Sequence, residues 1–345
     1  MFFMKLLAAL GIACALGGSA SAQTPVTIPE DYPAKEVDAE FTADGPTLLF
    51  SDSPEMVYKT GVLYRDTVQG KLRLFFHHVN AVEQDKKLAV LVKNEDQLRP
   101  AAYKITRSGV GNLSYNYMEA GKEAQQLYFA DAQKTQQGKL GFGEQVELLS
   151  GKGVVVPQNM LLTGTVDFEL TRPAQVTVLM GEKACNLEFY NEAAPIQPMD
   201  EHPLRGTFAN SDWHYKVKKA VSVKGGPQKL KLAGAEEGYA QGVDATTGKP
   251  AENYGNYGVI YYVDFKVKGK KPVSFIVNPI GGEFAGYGVL VSKEGRHLVA
   301  IPENALCLGA NIEEAVELGK LSKGEYTFIW SPPGASNLPI ELIWR

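Results

Sequence analysis

From residue 47 onward the apolar residues come in short runs, each too brief to give a helix a continuous buried face. Runs at 61–64, 72–79, 88–92, 102–105, 126–129, 145–149, 166–170 and 176–180 are rich in β-branched, aliphatic and aromatic residues, and clusters of Gly, Asn, Asp and Pro separate them. Such side chains fit a pleated, half-buried surface, and the separating residues supply turn geometry. A second set follows at 213–217, 229–232, 259–266, 273–277, 288–291, 297–301, 326–330 and 338–343. The pattern predicts an all-β chain of two antiparallel β-sandwich domains in tandem, immunoglobulin-like or jelly-roll-like, with no amphipathic helix longer than two turns. Residues 311–318 also suit one short helix, with Glu313, Glu314 and Glu317 on a solvated face.

The first 22 residues follow a different logic. A single Lys5, an apolar run over 6–16, and Ala20-Ser21-Ala22 before Gln23 make a secretory signal peptide, leaving 323 of 345 residues. Cys14 in this segment lacks the Leu three places upstream that bacterial lipidation needs. Export is therefore expected, to the periplasm, cell surface or medium, and no later apolar stretch is long enough to span a membrane as a helix. Residues 23–45 carry three prolines and little periodicity, and read as an extended linker. A first sandwich is expected over 46–190, a Pro-rich polar linker over 191–204 and a second sandwich over 205–345. Sliding 75–111 onto 259–295 gives eight identities in 37 positions, Lys86-Lys87 on Lys270-Lys271 and Tyr103 on Tyr287 among them. Either a duplicated sandwich or shared turn chemistry accounts for this.

The 35 basic and 39 acidic residues are dispersed, so no basic stripe marks a nucleic-acid partner. His77 and His78 are adjacent; in a strand they point to opposite faces and share no metal ion. His202, His214 and His297 stand alone, and neither a Gly-x-Ser-x-Gly elbow nor an Asp-rich calcium loop occurs. Gly281-Gly282-Glu283-Phe284-Ala285-Gly286 lacks the strand–loop–helix setting of a phosphate loop and reads as a turn. Neither a cofactor nor a metal is expected. Glu119, Glu123 and Asp264 are nominal carboxylates for glycoside hydrolysis, and equally surface charges. Cys185 and Cys307 form an even pair in an exported chain, open to a disulfide or to two separate buried thiols. The sharpest surface pattern is aromatic. Trp213 and Tyr215 follow Asn210, Ser211 and Asp212, while Tyr254, Asn256 and Tyr257 lie in a polar segment; flat rings beside amides and carboxylates suit sugar faces, and equally a sandwich core.

Several longer runs carry a resemblance: Leu49-Phe50-Ser51-Asp52-Ser53-Pro54-Glu55, Gly61-Val62-Leu63-Tyr64-Arg65-Asp66, residues 73–80 and 87–94, Leu204-Arg205-Gly206-Thr207-Phe208, Gly255-Asn256-Tyr257-Gly258-Val259 and Asn278-Pro279-Ile280-Gly281-Gly282. Over residues 47–345 the chain resembles exported bacterial proteins labelled as containing a copper amine oxidase N-terminal (stalk) domain. The resemblance implies an envelope or extracellular setting. The stalk repeat, a copper site and a topaquinone motif are not seen, so it implies no oxidase activity. The expectation is a non-enzymatic binding or structural module whose partner is a cell-wall or other polysaccharide or an envelope protein. The alternatives are a polysaccharide-active enzyme with a carboxylate pair and an assembly subunit.

Overall fold

Along Val273–Pro279 the two-residue period of a strand sends Val273, Phe275 and Val277 into one core and Ile276 into another on the opposite face. The Ile260–Val267 strand answers with Tyr261, Val263, Phe265 and Val267. In the computed structural model, which describes residues 23–133, 135–309 and 314–345, these two strands belong to facing six-stranded sheets. The first sheet runs in the order Thr24–Thr27, Glu314–Leu321, Val273–Pro279, Ile340–Trp344, Gln228–Leu232 and Lys35–Glu36. The second runs Gly295–Ile301, Gly286–Ser292, Gly324–Trp330, Ile260–Val267, Asp212–Val217 and Ala39–Asp44. Trp330, Trp344, Phe275 and Phe328 fill the space between them.

A third, 12-stranded sheet is built around two long strands, Gly61–Asn80 and Leu161–Glu182, paired antiparallel along most of their length. The pairing breaks register between Leu170 and Ala174, opposite Gly70. Beyond the break Leu161–Glu182 exchanges its other neighbour, from Ala101–Val110 to Lys86–Lys93. Side chains from both ends, Leu74 and Phe168 from one and Leu63 and Val178 from the other, meet in a single core. The chain is thus an all-β sandwich fold. Its sheets are mostly antiparallel, with parallel pairs where Thr47–Ser51 and Met56–Val57 lie on Gly61–Asn80, Asp212–Val217 on Ile260–Val267 and Lys35–Glu36 on Gln228–Leu232.

The pairings also reach across the expected linkers. Thr24–Thr27, Lys35–Glu36 and Ala39–Asp44, all inside residues 23–45, form outer strands of the two six-stranded sheets. Arg205–Phe208 pairs with Thr47–Ser51, so one sheet takes strands from both sides of residues 191–204. The matched repeats differ in topology. Gly61–Asn80 and Lys86–Lys93 share a sheet, whereas Ile260–Val267 and Val273–Pro279 lie in opposite layers.

Two sequence expectations are corrected. Residues 126–129 are not a strand but the last turn of helix α1 (Tyr117–Phe129), and a second helix, α2, covers Leu187–Ala193. The helix expected over 311–318 is replaced by the strand Glu314–Leu321, with Ala315 and Val316 buried in cores on opposite faces; its first residues, 311–313, lie outside the described residues, as does the signal segment 1–22. No helix among the described residues is long and apolar enough to cross a membrane.

Candidate functional site

Of the two readings open for the aromatic candidates, sugar faces or sandwich core, most of these residues pack into the fold. Trp213 and Tyr215, two apart on Asp212–Val217, both turn inward and pack on Tyr261, with Phe41 covering them from the edge strand. The Tyr215 hydroxyl donates to Glu237 Oε1. Tyr257 stacks on Phe50, and its hydroxyl donates to Ser336 O at 2.8 Å. Asn256 takes a left-handed φ of 53° in a turn, and its buried side chain accepts from Ala240 N and contacts the Tyr261 hydroxyl at 3.0 Å. Of the five, only Tyr254 is well exposed, at 51%, edge-on to Tyr239. Strand alternation and turn chemistry have drawn the others into the fold.

Cys185 and Cys307 are free thiols, not a disulfide. Glu119 accepts from Ser114, Glu123 from Asn112 and Asp264 from Thr327, each a local surface contact with no partner carboxylate among the three. His77 and His78 do point apart, as strand geometry requires. His77 Nδ1 meets Thr163 Oγ1 at 3.0 Å, while His78 contacts Ser51 Oγ and Pro54 O.

Two clefts then compete as sites. One, of about 330 Å³, lies over Arg73, Asp167, Asp212 and Tyr128. Its centre is a closed clamp. Arg73, buried, donates from Nε and Nη2 to Asp167 and from Nη1 to Asp212 Oδ1 and Ser211 O, and the Tyr128 hydroxyl also donates to Asp167. Arg107 sits over the Tyr128 ring and donates to Tyr128 O, and Arg296 is held by Asp131 and Phe129 O. Donors and acceptors are matched to one another, which suits holding sheets together more than holding a ligand.

The other cleft, about 770 Å³, opens between residues 54–59 and 196–202. Strand Met56–Val57 pairs parallel with Val79 and Asn80, and Gln197 N donates to Val62 O at 2.8 Å, so both walls hang on the long Gly61–Asn80 strand. Asp200 is fixed by three donors: Ser53 Oγ at 2.9 Å, Glu55 N at 2.8 Å and His202 N at 3.0 Å. Burial, and then the Asp200 charge, raise the Glu55 carboxyl above its ordinary range. Asp52 is pushed up further, by burial and then by Glu55 and Asp200; its Oδ1 is buried without a hydrogen-bond partner among the described residues. Tyr58, 67% exposed, lines the same cleft as Glu55 and Asp200, with Met56, Ile196, Pro198 and Met199; Asp52 lies outside its lining.

Beneath lies a Ser–His pair. Pro54 O can only accept, so His78 Nδ1 carries the proton and Nε2 accepts from Ser51 Oγ at 2.8 Å. A backbone carbonyl stands where a catalytic triad has its carboxylate, and Ser51 is fully buried, so no acyl group reaches it. Sequence reading passed over this cleft because Glu55 and Asp200, which meet in it, lie 145 positions apart in the chain. Its one local signal was the acid-flanked Ser53-Pro54.

Comparison with known proteins adds little. No family model matches the chain, and no curated protein matches it. Among solved structures, a SENS161-164DSSN mutant of Bacillus subtilis oxalate decarboxylase aligns over 88% of this chain and 78% of its own at 10% identity, with a TM-score of 0.14. A protein of unknown function from Pseudomonas syringae pv. tomato aligns over 93% and 98% at 11% identity, with a TM-score of 0.13. At such scores the likeness carries no argument about fold or function.

Proposed function

We propose that the chain is an exported, non-enzymatic glycan-binding protein of the cell envelope, and that the cleft between residues 54–59 and 196–202 is its ligand site. The observation that carries this reading is an exposed ring, Tyr58, that lines one open cleft together with the carboxylates Glu55 and Asp200 and the apolar Met56, Ile196, Pro198 and Met199. A sugar presents an apolar face to stack on such a ring and hydroxyls to bond carboxylates in the same cleft. The signal-like N-terminus and the envelope resemblance support the setting. The saturated Arg73 clamp and the sealed Ser51–His78 pair support placing recognition here and not there.

A second reading rests on one specific asymmetry. Glu55 is raised by burial and by Asp200, while three hydrogen bonds keep Asp200 an acceptor. Two carboxyl groups lining one cleft are the minimum that glycoside hydrolysis needs. The test is to incubate the mature chain, residues 23–345, with a panel of cell-wall and plant oligosaccharides, measuring binding calorimetrically and release of reducing ends. Binding without release, lost in Tyr58→Ala and kept in Tyr254→Ala, supports the binding protein. Release that disappears in Glu55→Gln supports the enzyme. No binding to any member of the panel overturns both.

A further inference from the structure

We infer that Gln23, made the first residue when residues 1–22 are removed, is a docking residue whose carboxamide joins the margins of the two facing six-stranded sheets, and that this contact holds off the cyclisation to pyroglutamate open to an N-terminal glutamine. This goes beyond the glycan-binding reading, and the cleft plays no part in it. Only the signal-peptide pattern, which sets the new N-terminus at Gln23, is carried over.

The contact has two points. Gln23 Nε2 donates to Ala300 O, and Gln23 Oε1 accepts from Glu303 N at 2.8 Å. Ala300 lies in Gly295–Ile301, the outermost strand of the second sheet, while Gln23 leads directly into Thr24–Thr27, the outermost strand of the first. One planar amide, donor at one end and acceptor at the other, therefore ties the two margins to each other. Its partners are 277 and 280 positions away, so only the folded chain provides them. The strand behind it is held too. Thr24–Thr27 pairs antiparallel with residues 314–317, and Val26 packs with Ile28, Ile276, Ala315 and Ile343.

Cyclisation needs the same carboxamide released. The neutral α-amino nitrogen of Gln23 attacks Cδ; the N–Cδ bond forms, the Cδ–Nε2 bond breaks, and Nε2 leaves as ammonia with the proton that the amine gives up. No other reactant is consumed. The carbon becomes tetrahedral on the way and is drawn back to the backbone nitrogen, so both hydrogen bonds of the planar amide break before the ring closes. The product has no Nε2 to offer Ala300 O, and its carbonyl is fixed in the ring, away from Glu303 N. By linkage the two processes oppose each other: docking slows cyclisation, and cyclisation weakens docking.

The experiment frees the chain from a fusion cut immediately before Gln23 and follows loss of ammonia from its N-terminal peptide by mass spectrometry, beside a synthetic peptide of residues 23–32 in the same buffer. The folded chain is expected to cyclise at least about tenfold more slowly than the peptide, because two net hydrogen bonds and the packing of the strand are given up first. Val26→Asp, which places a charge in the apolar contact of the first strand, is expected to return the rate to that of the peptide, with melting curves showing the remaining sheets folded. Should this variant fail to fold, the converse measurement decides. A chain cyclised in urea and refolded is expected to exchange the backbone amides of Thr24–Thr27 faster than the uncyclised chain. A folded chain that cyclises as fast as the peptide overturns the inference, and so does equal amide protection with and without the ring. Slow cyclisation that persists in folded Val26→Asp also overturns it, since docking is then not the cause.

Discussion

His77 and His78 are buried on opposite faces of one strand, with rings lowered to about 3 and about 4, burial being the main cause for each. In the folded chain they therefore bind fewer protons than in the unfolded chain between those values and 6.5. Their contribution to stability is complete above pH 6.5 and is lost as the pH falls. Glu237 works in the opposite sense. Burial raises it to about 7 against the hydrogen bonds it accepts from Tyr215, Ala233 N and Tyr261, so the folded chain holds a proton there that the unfolded chain releases above about 4.5. Its stabilising effect is present below pH 4.5 and lost as the pH rises to 7. Melting temperatures measured from pH 4 to 8 should separate the two. His77→Gln is expected to flatten the loss on the acid side, and Glu237→Gln the loss on the neutral side, by on the order of 3 kcal/mol in the latter case. An unchanged acid-side slope in His77→Gln would show that the ring is not held neutral by the fold.

Helix α1 explains why one element escaped the sequence. Its buried positions are Ala120, Gly121, Ala124, Gln125, Tyr128 and Phe129, so the helical period is carried by small residues and a glutamine, while 126–129 alone looks like a strand. The legible signal was at its start, where Asn116 caps Glu119 N three residues on. Small residues are required because the backbone of α1 lies directly on other backbone. A methyl group on Gly109 or Gly111 would collide with the helix carbonyls of Ala124 or Ala120, and one on Gly121 with the carbonyl oxygen of Gly334. Gln125 then donates to Ser331 O and accepts from Tyr287 N, and Lys122 donates to Pro302 O. The helix thereby joins the 12-stranded sheet to loops of the facing sheets. Gly121→Ala poses a direct contest. Helix propensity favours Ala by about 1 kcal/mol, whereas overpacking against an atom that cannot swing aside costs about 1–3 kcal/mol. We expect net destabilisation in urea titration; a stabilised variant would mean that α1 has room to move away from residue 334.

At the scale of the molecule, sequence periodicity located most strands but not their continuity. The run 61–64 and the run 72–79 are one strand, and so are 166–170 and 176–180. The solvent-facing middles, Asp66 to Lys71 and Thr171 to Pro173, have turn-like composition because they lie where the sheet bends and emerges into water. Pairing between distant segments left no local trace at all, and it bears most directly on whether residues 205–345 stand alone. Leu48, Phe50 and Phe75 share a core with Trp213, Tyr261 and Trp330, and Arg73 reaches Asp212 and Gly258 O across the same boundary. A fragment of residues 205–345 would lack Thr24–Thr27, Lys35–Glu36 and Ala39–Asp44 from its sheet margins, and would leave Asp212 without its cation. Unpaired edges and an orphaned, largely buried carboxylate both disfavour an isolated fold. The fragment is therefore expected to show no cooperative thermal transition, and residues 23–345 a single one. Arg73→Met in the full chain should lower stability by about 3–5 kcal/mol, the cost of stranding two partly buried acids. A sharp, reversible transition in the isolated fragment, with Arg73→Met nearly silent, would instead establish two independently folding sandwiches and reduce the shared core and the clamp to contacts between them.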